Sequence, residues 1–368
     1  MKLNFNRAAL AEALGMLTSV VPNRTPKPIL RCIQITASKK DVHICATDLE
    51  VGINCSVSEV QVEEDGEVIV PADRLAAVVR ESTDDVLLLR AEDGACKVEG
   101  ADSQFTIYGQ EPGQYPTVPS FRGKADMEIT LSNLQSGIEQ CLFATAKEST
   151  RYALNGVLWE VKGKKLSLVA TDGRRLARCR VNLASAPAEQ IAKAKIIVPA
   201  KTMMLLDKIG GGEKDTVAIK LVDNQILFSG ADVVISSNLV EGNFPKYEDI
   251  IPDDYDKKLT LSTANVLSAV RRAALLTSEE SRGIKLSIKQ NSLTFSGKAL
   301  EAGDAQINMS IDYKAEPMEI GFNPQFLIDA LRVIRTEDFE LELGQADRPG
   351  IIKSGASFLY VLMPINLG

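Results

Sequence analysis

Histidine is nearly absent. His43, in the alternating stretch Asp41-Val42-His43-Ile44, is the only one in 368 residues. A multi-histidine metal site and repeated histidine acid–base chemistry are therefore excluded, and a half-exposed strand residue is the better reading of His43. Cysteine offers no substitute. Cys32, Cys45, Cys55, Cys96, Cys141 and Cys179 stand singly, with no Cys-x-x-Cys pair, as befits small buried hydrophobes in a reducing compartment and not a disulfide framework. A phosphate-binding glycine loop is missing too: Gly210-Gly211-Gly212-Glu213-Lys214 lacks the spacing and the following Ser/Thr that phosphate and Mg²⁺ contacts require, and reads as a turn. No apolar run approaches the roughly 18 residues of a membrane span, and Met1-Lys2-Leu3-Asn4-Phe5 has no leader-like pattern, so a cytoplasmic protein without a membrane partner is expected. Surplus positive charge is lacking as well. Lys and Arg number 42 against 49 Asp and Glu, a net charge of −7, which argues against an ordinary cation-rich DNA-binding surface.

What the chain does have is one pattern written three times, about 125 residues apart. The first copy opens at Leu3-Asn4-Phe5-Asn6 and continues with Leu10, Leu14 and Leu17; the third opens at Leu259-Thr260-Leu261-Ser262 and continues with Val266, Val270 and Ala273. The second opens at Ile129-Thr130-Leu131-Ser132 and reaches Leu134, Ile138 and Cys141, the same pattern drawn slightly tighter. In each, a short strand ends at Asn6, Ser132 or Ser262, a side chain suited to cap a following amphipathic helix. A second landmark lies deeper: Val70-Pro71-Ala72, Val198-Pro199-Ala200 and Asn323-Pro324-Gln325 each place a proline near a helix start, where its missing NH costs nothing. Alternating runs follow the first helix (Val42 to Val51, Leu166 to Arg175, Leu293 to Ile307) and the second (Val86 to Val98, Val217 to Phe228, Phe339 to Ile352). The expectation is an α+β chain of three repeated domains, 1–122, 123–252 and 253–368, each with two helices packed on antiparallel sheets. A length of 368 residues with 45% apolar and 25% charged content leaves material for three cores.

Asp48 and Asp172 fall at equivalent points, in Thr47-Asp48-Leu49-Glu50 and Thr171-Asp172-Gly173-Arg174-Arg175. A catalytic dyad is one reading. A pair of turn devices is the better one, because Thr and Asp oxygens at strand ends satisfy local backbone donors.

Four runs, in order along the chain, carry a resemblance: Arg151-Tyr152-Ala153-Leu154-Asn155-Gly156, Thr171-Asp172-Gly173-Arg174-Arg175-Leu176-Ala177, Phe244-Pro245-Lys246-Tyr247 and Tyr360-Val361-Leu362-Met363-Pro364-Ile365-Asn366-Leu367. Together they resemble the bacterial DNA polymerase III β subunits, the sliding clamps. The resemblance implies a head-to-tail homodimeric ring of six similar domains around duplex DNA, with helices lining the hole, no catalytic activity and no cofactor or metal. A ring holds DNA topologically, so only its inner face need be basic, which accommodates an acidic chain. Candidate inner-face cations are Arg7, Arg74, Arg80, Lys201, Lys208, Arg271, Arg272, Arg332 and Arg335, all on expected helices away from their apolar stripes; solvated helix faces are the plainer reading of any one of them. Family DNA-contacting loop positions fall at Arg24 and Tyr152, with Glu148 and Ala153 beside them, the last two departing from the polar and aromatic residues expected there.

The resemblance also implies a hydrophobic groove in which the polymerase α subunit, the clamp loader, other polymerases and repair proteins dock short linear motifs. Its positions map to Leu154, Thr171, Gly173, Arg174, Arg175 and Leu176 on one side, and to Pro245, Ile250, Val361, Met363, Pro364 and Ile365 on the other, with Arg175 placed to orient a peptide. Glu248, Asp249 and Asn366 stand where relatives commonly carry basic residues. The seam between protomers maps to Phe105 and Ile107 on one edge and Leu275 and Leu276 on the other. Two other classes stay open on the residues alone: a repeat-built adaptor that binds proteins without encircling DNA, and an enzyme whose site spans domains.

Overall fold

The computed structural model describes residues 1–39, 41–111, 113–147, 152–251, 255–277, 283–299 and 302–366, without the Tyr152 side chain. The chain is α+β and divides into two compact units, one of residues 1–134, 183–193 and 201–239, the other of 135–182, 194–200 and 240–368. The units follow the sheets rather than the repeats. In the first unit a five-stranded antiparallel sheet ends on the strand Gln104–Tyr108, and an eight-stranded sheet joins four strands of the first copy to four of the second through the pairing of Val51–Val57 with Val233–Asn238. In the second unit another eight-stranded sheet joins four strands each of the second and third copies through Arg175–Asn182 and Phe358–Leu362, and a four-stranded sheet ends on Gly303–Ser310.

Helix positions agree with the expected periodicity. Leu10, Leu14 and Leu17 are buried on Arg7–Thr18, Leu134, Ile138 and Cys141 on Leu131–Cys141, and Val266, Val270 and Ala273 on Thr263–Ala274. Asn6 caps the first of these by accepting from the amides of Ala8 and Ala9 at 2.9 and 3.1 Å. The second is different: Ser132 lies inside the helix, and Thr130 Oγ1 accepts from Asn133 N at 3.4 Å. Ser262 occupies the third cap position without a side-chain bond. The helices Ala72–Glu81, Ala200–Leu206 and Pro324–Val333 follow the three prolines as expected, and a short helix at Glu189–Lys193 was not anticipated.

Each alternating run proves to be a hairpin. Val42 to Val51 spans Asp41–Thr47 and the start of Val51–Val57, and the turn between them is built by Thr47 and by Asp48, one of the two aspartates open to a catalytic reading. Thr47 Oγ1 donates to Val51 O at 2.9 Å, while Asp48 Oδ1 accepts from the amides of Glu50 and Val51 at 2.9 and 2.7 Å. Thr171 and Asp172 repeat the device, Oγ1 donating to Arg175 O at 2.6 Å and Oδ1 accepting from Arg174 N and Arg175 N at 2.9 and 3.1 Å. The next residue is left-handed in both turns, Gly173 at φ 88° and Leu49 at φ 80°. Glycine adopts that conformation freely; leucine does so at a cost of about 1–2 kcal/mol.

All six cysteines are buried and unpaired. Burial pushes the thiols of Cys45, Cys55 and Cys96 up to about 12 and that of Cys179 to about 11, so they act as packing groups and not as nucleophiles. His43 is exposed on its strand beside Ser56 Oγ. Among the described residues no helix is long and apolar enough to cross a membrane.

Two glycines test the packing in opposite directions. A Cβ added to Gly297 would lie 2.3 Å from the carbonyl oxygen of Ala273, on the helix that covers its strand. Gly297→Ala should lower stability by about 1–3 kcal/mol. Gly15, inside Arg7–Thr18, has nothing within 4 Å of such a Cβ, and Gly15→Ala should raise stability by about 1 kcal/mol. Urea unfolding midpoints of the two variants measure both effects.

Candidate functional site

The joint between Arg175–Asn182 and Phe358–Leu362 builds the candidate groove. The register opposes Leu176 to Val361 and Arg178 to Leu359, and because directly opposed side chains share a sheet face, Leu176, Val361 and Leu359 meet Ile351, Val169 and Leu158 in one buried cluster. The chain segment between the second and third copies crosses this face. Val240 N donates to Ile197 O at 2.9 Å, and Phe244, Tyr247, Ile251 and Tyr255 pack onto the cluster in turn. Tyr247 is the fixed point: its hydroxyl donates to Glu160 Oε2 at 2.6 Å, and Lys195 pairs with Glu160 Oε1 at 2.7 Å. Burial, then the Glu160 carboxylate, raise the Tyr247 pKa, so it stays a donor throughout the neutral range. The short 3₁₀ turn Tyr247–Ile250 is thereby held so that Ile250 stays 39% exposed, facing the opening shared with Met363 at 41%. A cavity of about 1280 Å³ lies there, its apolar walls Ile250, Ile251, Tyr255, Ile351, Leu359 and Met363. At its rim the buried Glu342 is paired with Lys258 and Lys353 at 2.9 and 2.6 Å, and these lysines lower its pKa against the pull of burial.

Leu176 and Val361 lie in the buried cluster whose Ile351 and Leu359 line this cavity, Ile250 and Met363 stand at its opening, and Pro364 and Ile365 line a separate pocket beside Ile320 and Gly321, with Ile365 N donating to Gly321 O at 2.9 Å. Gly173 and Arg174 are exposed on the adjoining turn, where Arg174 O accepts from Met363 N at 2.9 Å; Pro245 is half-buried in the crossing segment. Leu154 is buried, but its neighbour Ala153 supplies the contact with the cluster. Thr171 is buried and spends its hydroxyl within the turn.

Arg175 departs from the expectation that it orients a peptide. Its side chain is 10% exposed, with Nε donating to Asp172 Oδ2 at 3.0 Å, Nη1 to Asp329 Oδ2 at 2.7 Å and Nη2 to Phe143 O at 2.7 Å. The guanidinium stacks 4.4 Å from the Phe326 ring centroid and 5.5 Å from that of Phe143. It fastens the end of its strand to the helix Pro324–Val333. Tyr247, Tyr255, Ile351 and Leu359 were the residues sequence reasoning missed; of these only Tyr247 stood inside a recognisable run.

The candidate DNA-facing cations divide into three groups. Arg24, Arg74, Arg271 and Arg332 are exposed and form no ion pair with any described residue. Arg7 donates from Nε to Asp84 O at 2.9 Å, Arg272 from Nε to Ser268 O at 3.4 Å, and Arg80 pairs with its neighbour Glu81 at 3.3 Å. Lys201 is engaged inside its unit, its ammonium bonded to Asp48 and, at 3.2 Å, to Val20 O, and Arg335 pairs with Glu139 at 2.6 Å. Arg335 and Lys208 lie beyond the ends of their helices, a correction to the placement expected of them. Tyr152 begins the 3₁₀ turn Tyr152–Asn155, and Glu148 lies outside the described residues. Of the seam candidates, Phe105 is 40% and Leu275 79% exposed, Leu276 is half-buried, and Ile107 points into its own core at 8%. Tyr108, not anticipated, is 82% exposed on the same edge strand.

Comparison with known proteins accords with this geometry. Family models of the DNA polymerase III beta subunit match in order, the N-terminal domain at residues 1–119, the central domain at 128–246 and the C-terminal domain at 248–366. The beta sliding clamp of Pseudomonas putida is 32% identical over 373 residues, and that of Caulobacter vibrioides 31% identical over 376, each comparison covering 100% of both chains. A crystal structure of the Pseudomonas aeruginosa DnaN sliding clamp bound to griselimycin superimposes with a TM-score of 0.93 at 30% identity, covering 100% of this chain and 99% of that one. The Bacillus subtilis DNA polymerase sliding clamp gives 0.93 at 26% identity, with the same coverage. With three family models in sequence and relatives matched along their whole length, the chain belongs to the DNA polymerase III beta subunit family, the beta sliding clamps.

Proposed function

We propose that two copies of this chain, each of domains 1–122, 123–252 and 253–368, close head to tail around duplex DNA and tether the replicative polymerase and other replication and repair proteins, without catalysing a reaction. The observation that carries this is the repetition of the joint. Following the ladders from Pro71, Pro199 and Asn323, the residues just before the second helices, makes Gly52, Leu176 and Asp304 equivalent, with Thr47, Thr171 and Lys298 as their hairpin partners. Following the ladders outward from Asn6, Thr130 and Ser262 makes Thr106, Ser236 and Val361 equivalent in the same way. Gly52 pairs with Ser236 and Leu176 with Val361. Asp304 and Thr106 are the remaining pair, and both lie on edge strands with no partner on that side among the described residues. A second copy supplies it: Asp304 faces Thr106 of the next chain, Gly303 faces Ile107, and Ala305 faces Phe105. An adaptor that never closes leaves two such edges open, which proteins avoid, whereas a heterologous contact that closes makes a ring. Exposed Arg24, Arg74, Arg271 and Arg332 then need only weak phosphate contacts, which suits sliding.

The groove serves the partners. Apolar anchors of short linear motifs from the polymerase α subunit, the clamp loader or repair proteins enter between Ile250 and Met363, where a flexible methionine accommodates several sequences.

Three outcomes follow. Protein loaded on nicked circular plasmid is retained in gel filtration and released once the plasmid is linearised; retention indifferent to linearisation rules out encirclement. Phe105→Asp combined with Leu275→Asp, both at exposed positions, weakens the dimer by about a hundredfold or more, seen as a monomer mass in light scattering. Ile250→Ser with Met363→Ser lowers the affinity for a labelled leucine- and phenylalanine-bearing peptide by about tenfold, read by fluorescence anisotropy, while the plasmid result stays as it was.

A further inference from the structure

Arg178 is an arginine planted in an apolar face. Its cross-strand neighbours are Val169 on one side and Leu359 on the other, both in the cluster beneath the groove, and Leu176 precedes it on the same face of the same strand. The side chain is half-buried, and its Nε is fully buried with no hydrogen-bond partner among the described residues. It forms no ion pair with any described residue. The nearest charges do not resolve this: Arg180 is of like sign, and Glu248, on the exposed 3₁₀ turn above, lies beyond ion-pair distance. Burial pushes the guanidinium below the ordinary arginine range, with Arg180 adding to the effect. Arg175, three residues earlier, shows what a satisfied guanidinium looks like in this unit, with two carboxylates, a carbonyl and two rings around it. A desolvated donor left unpaired is costly, and each such group calls for an account of what it serves.

We propose that Arg178 is the anion-recognition element of the docking groove, taking a carboxylate of the bound peptide while Ile250, Met363 and Leu359 take its apolar anchors. This rests on the groove reading given above. A guanidinium with unused donors presents a planar fork that matches a carboxylate in a two-bond geometry, and does so most strongly where water is already displaced. The carboxylate belongs either to an acidic side chain between or beside the anchors, or to a peptide C-terminus; the chemistry is the same.

The test is an aspartate scan. Fluorescein-labelled peptides carry two leucines and a phenylalanine as anchors, with aspartate or asparagine at each remaining position in turn, and with a C-terminal acid or amide. Binding to the full-length protein is measured by anisotropy. One aspartate position, or the C-terminal acid, should bind about threefold to tenfold more tightly than its amide counterpart, and Arg178→Met should erase that preference while leaving the all-amide parent within about twofold. Because the variant removes an uncompensated cation from an apolar face, its melting temperature should rise. An acid preference that survives in Arg178→Met overturns the proposal, as do indifference to every carboxylate and a marked fall in melting temperature, which assigns Arg178 to the fold. If instead the all-amide parent binds no better to the native protein than to the Ile250→Ser, Met363→Ser variant, the groove reading itself fails.

Discussion

Everything distinctive in this chain depends on a main-chain ladder that runs from one repeat into the next. Arg175–Cys179 pair with Phe358–Leu362, and Val51–Cys55 with Val233–Ser237, so that four strands of one copy and four of the next make one sheet. Such bonds join backbone to backbone and tolerate nearly any side chain. Copies can therefore diverge until only caps, prolines and periodicity reveal them, while the joint keeps its register. The same ladder explains why the compact units cut the middle copy in two: its halves belong to different sheets.

Two joints with one register differ in what covers them. At the first, Gly52 stands where the second has Leu176, and a Cβ there would come within 2.8 Å of Val118 Cγ1. The covering segment settles directly on the glycine, with Tyr115 bonded to Cys32 O at 2.9 Å. At the second joint, Leu176 fills that space and Tyr247, in the place of Val118, reaches aside to Glu160. The cover is held off and Ile250 and Met363 remain exposed. At this joint the leucine and the Tyr247–Glu160 bond accompany the exposure of Ile250 and Met363.

What could be read from the chain was whatever local physics writes into consecutive residues. The stripe of Leu10, Leu14 and Leu17, the prolines before the second helices, and the Thr-Asp turn devices all hold in three dimensions. The hairpin of Val42 to Val51 reads as a single run because Leu49 performs a turn that normally calls for glycine, leaving the alternation uninterrupted to the eye. The role of Arg175 was out of reach for a different reason. Asp329 and Phe326 lie about 150 residues away in sequence, and no spacing rule links them. Arg178 passed unremarked because an arginine on an alternating strand reads as an outward, solvated residue; only the register shows that it sits among Val169 and Leu359.

The edge strands Gln104–Tyr108 and Gly303–Ser310, each paired on one side only, would in the ring proposed above make each chain what a polymer chemist would call a bifunctional monomer, with one reactive end of each kind. Such a molecule has two fates. Ends that find each other within a pair terminate growth; ends that find strangers extend an open string. Closure is favoured by dilution and by rigidity of the links between, extension by crowding and by slack. In a chain that assembles as proposed, main-chain pairing across the joints would therefore favour the short closed product over the long open one.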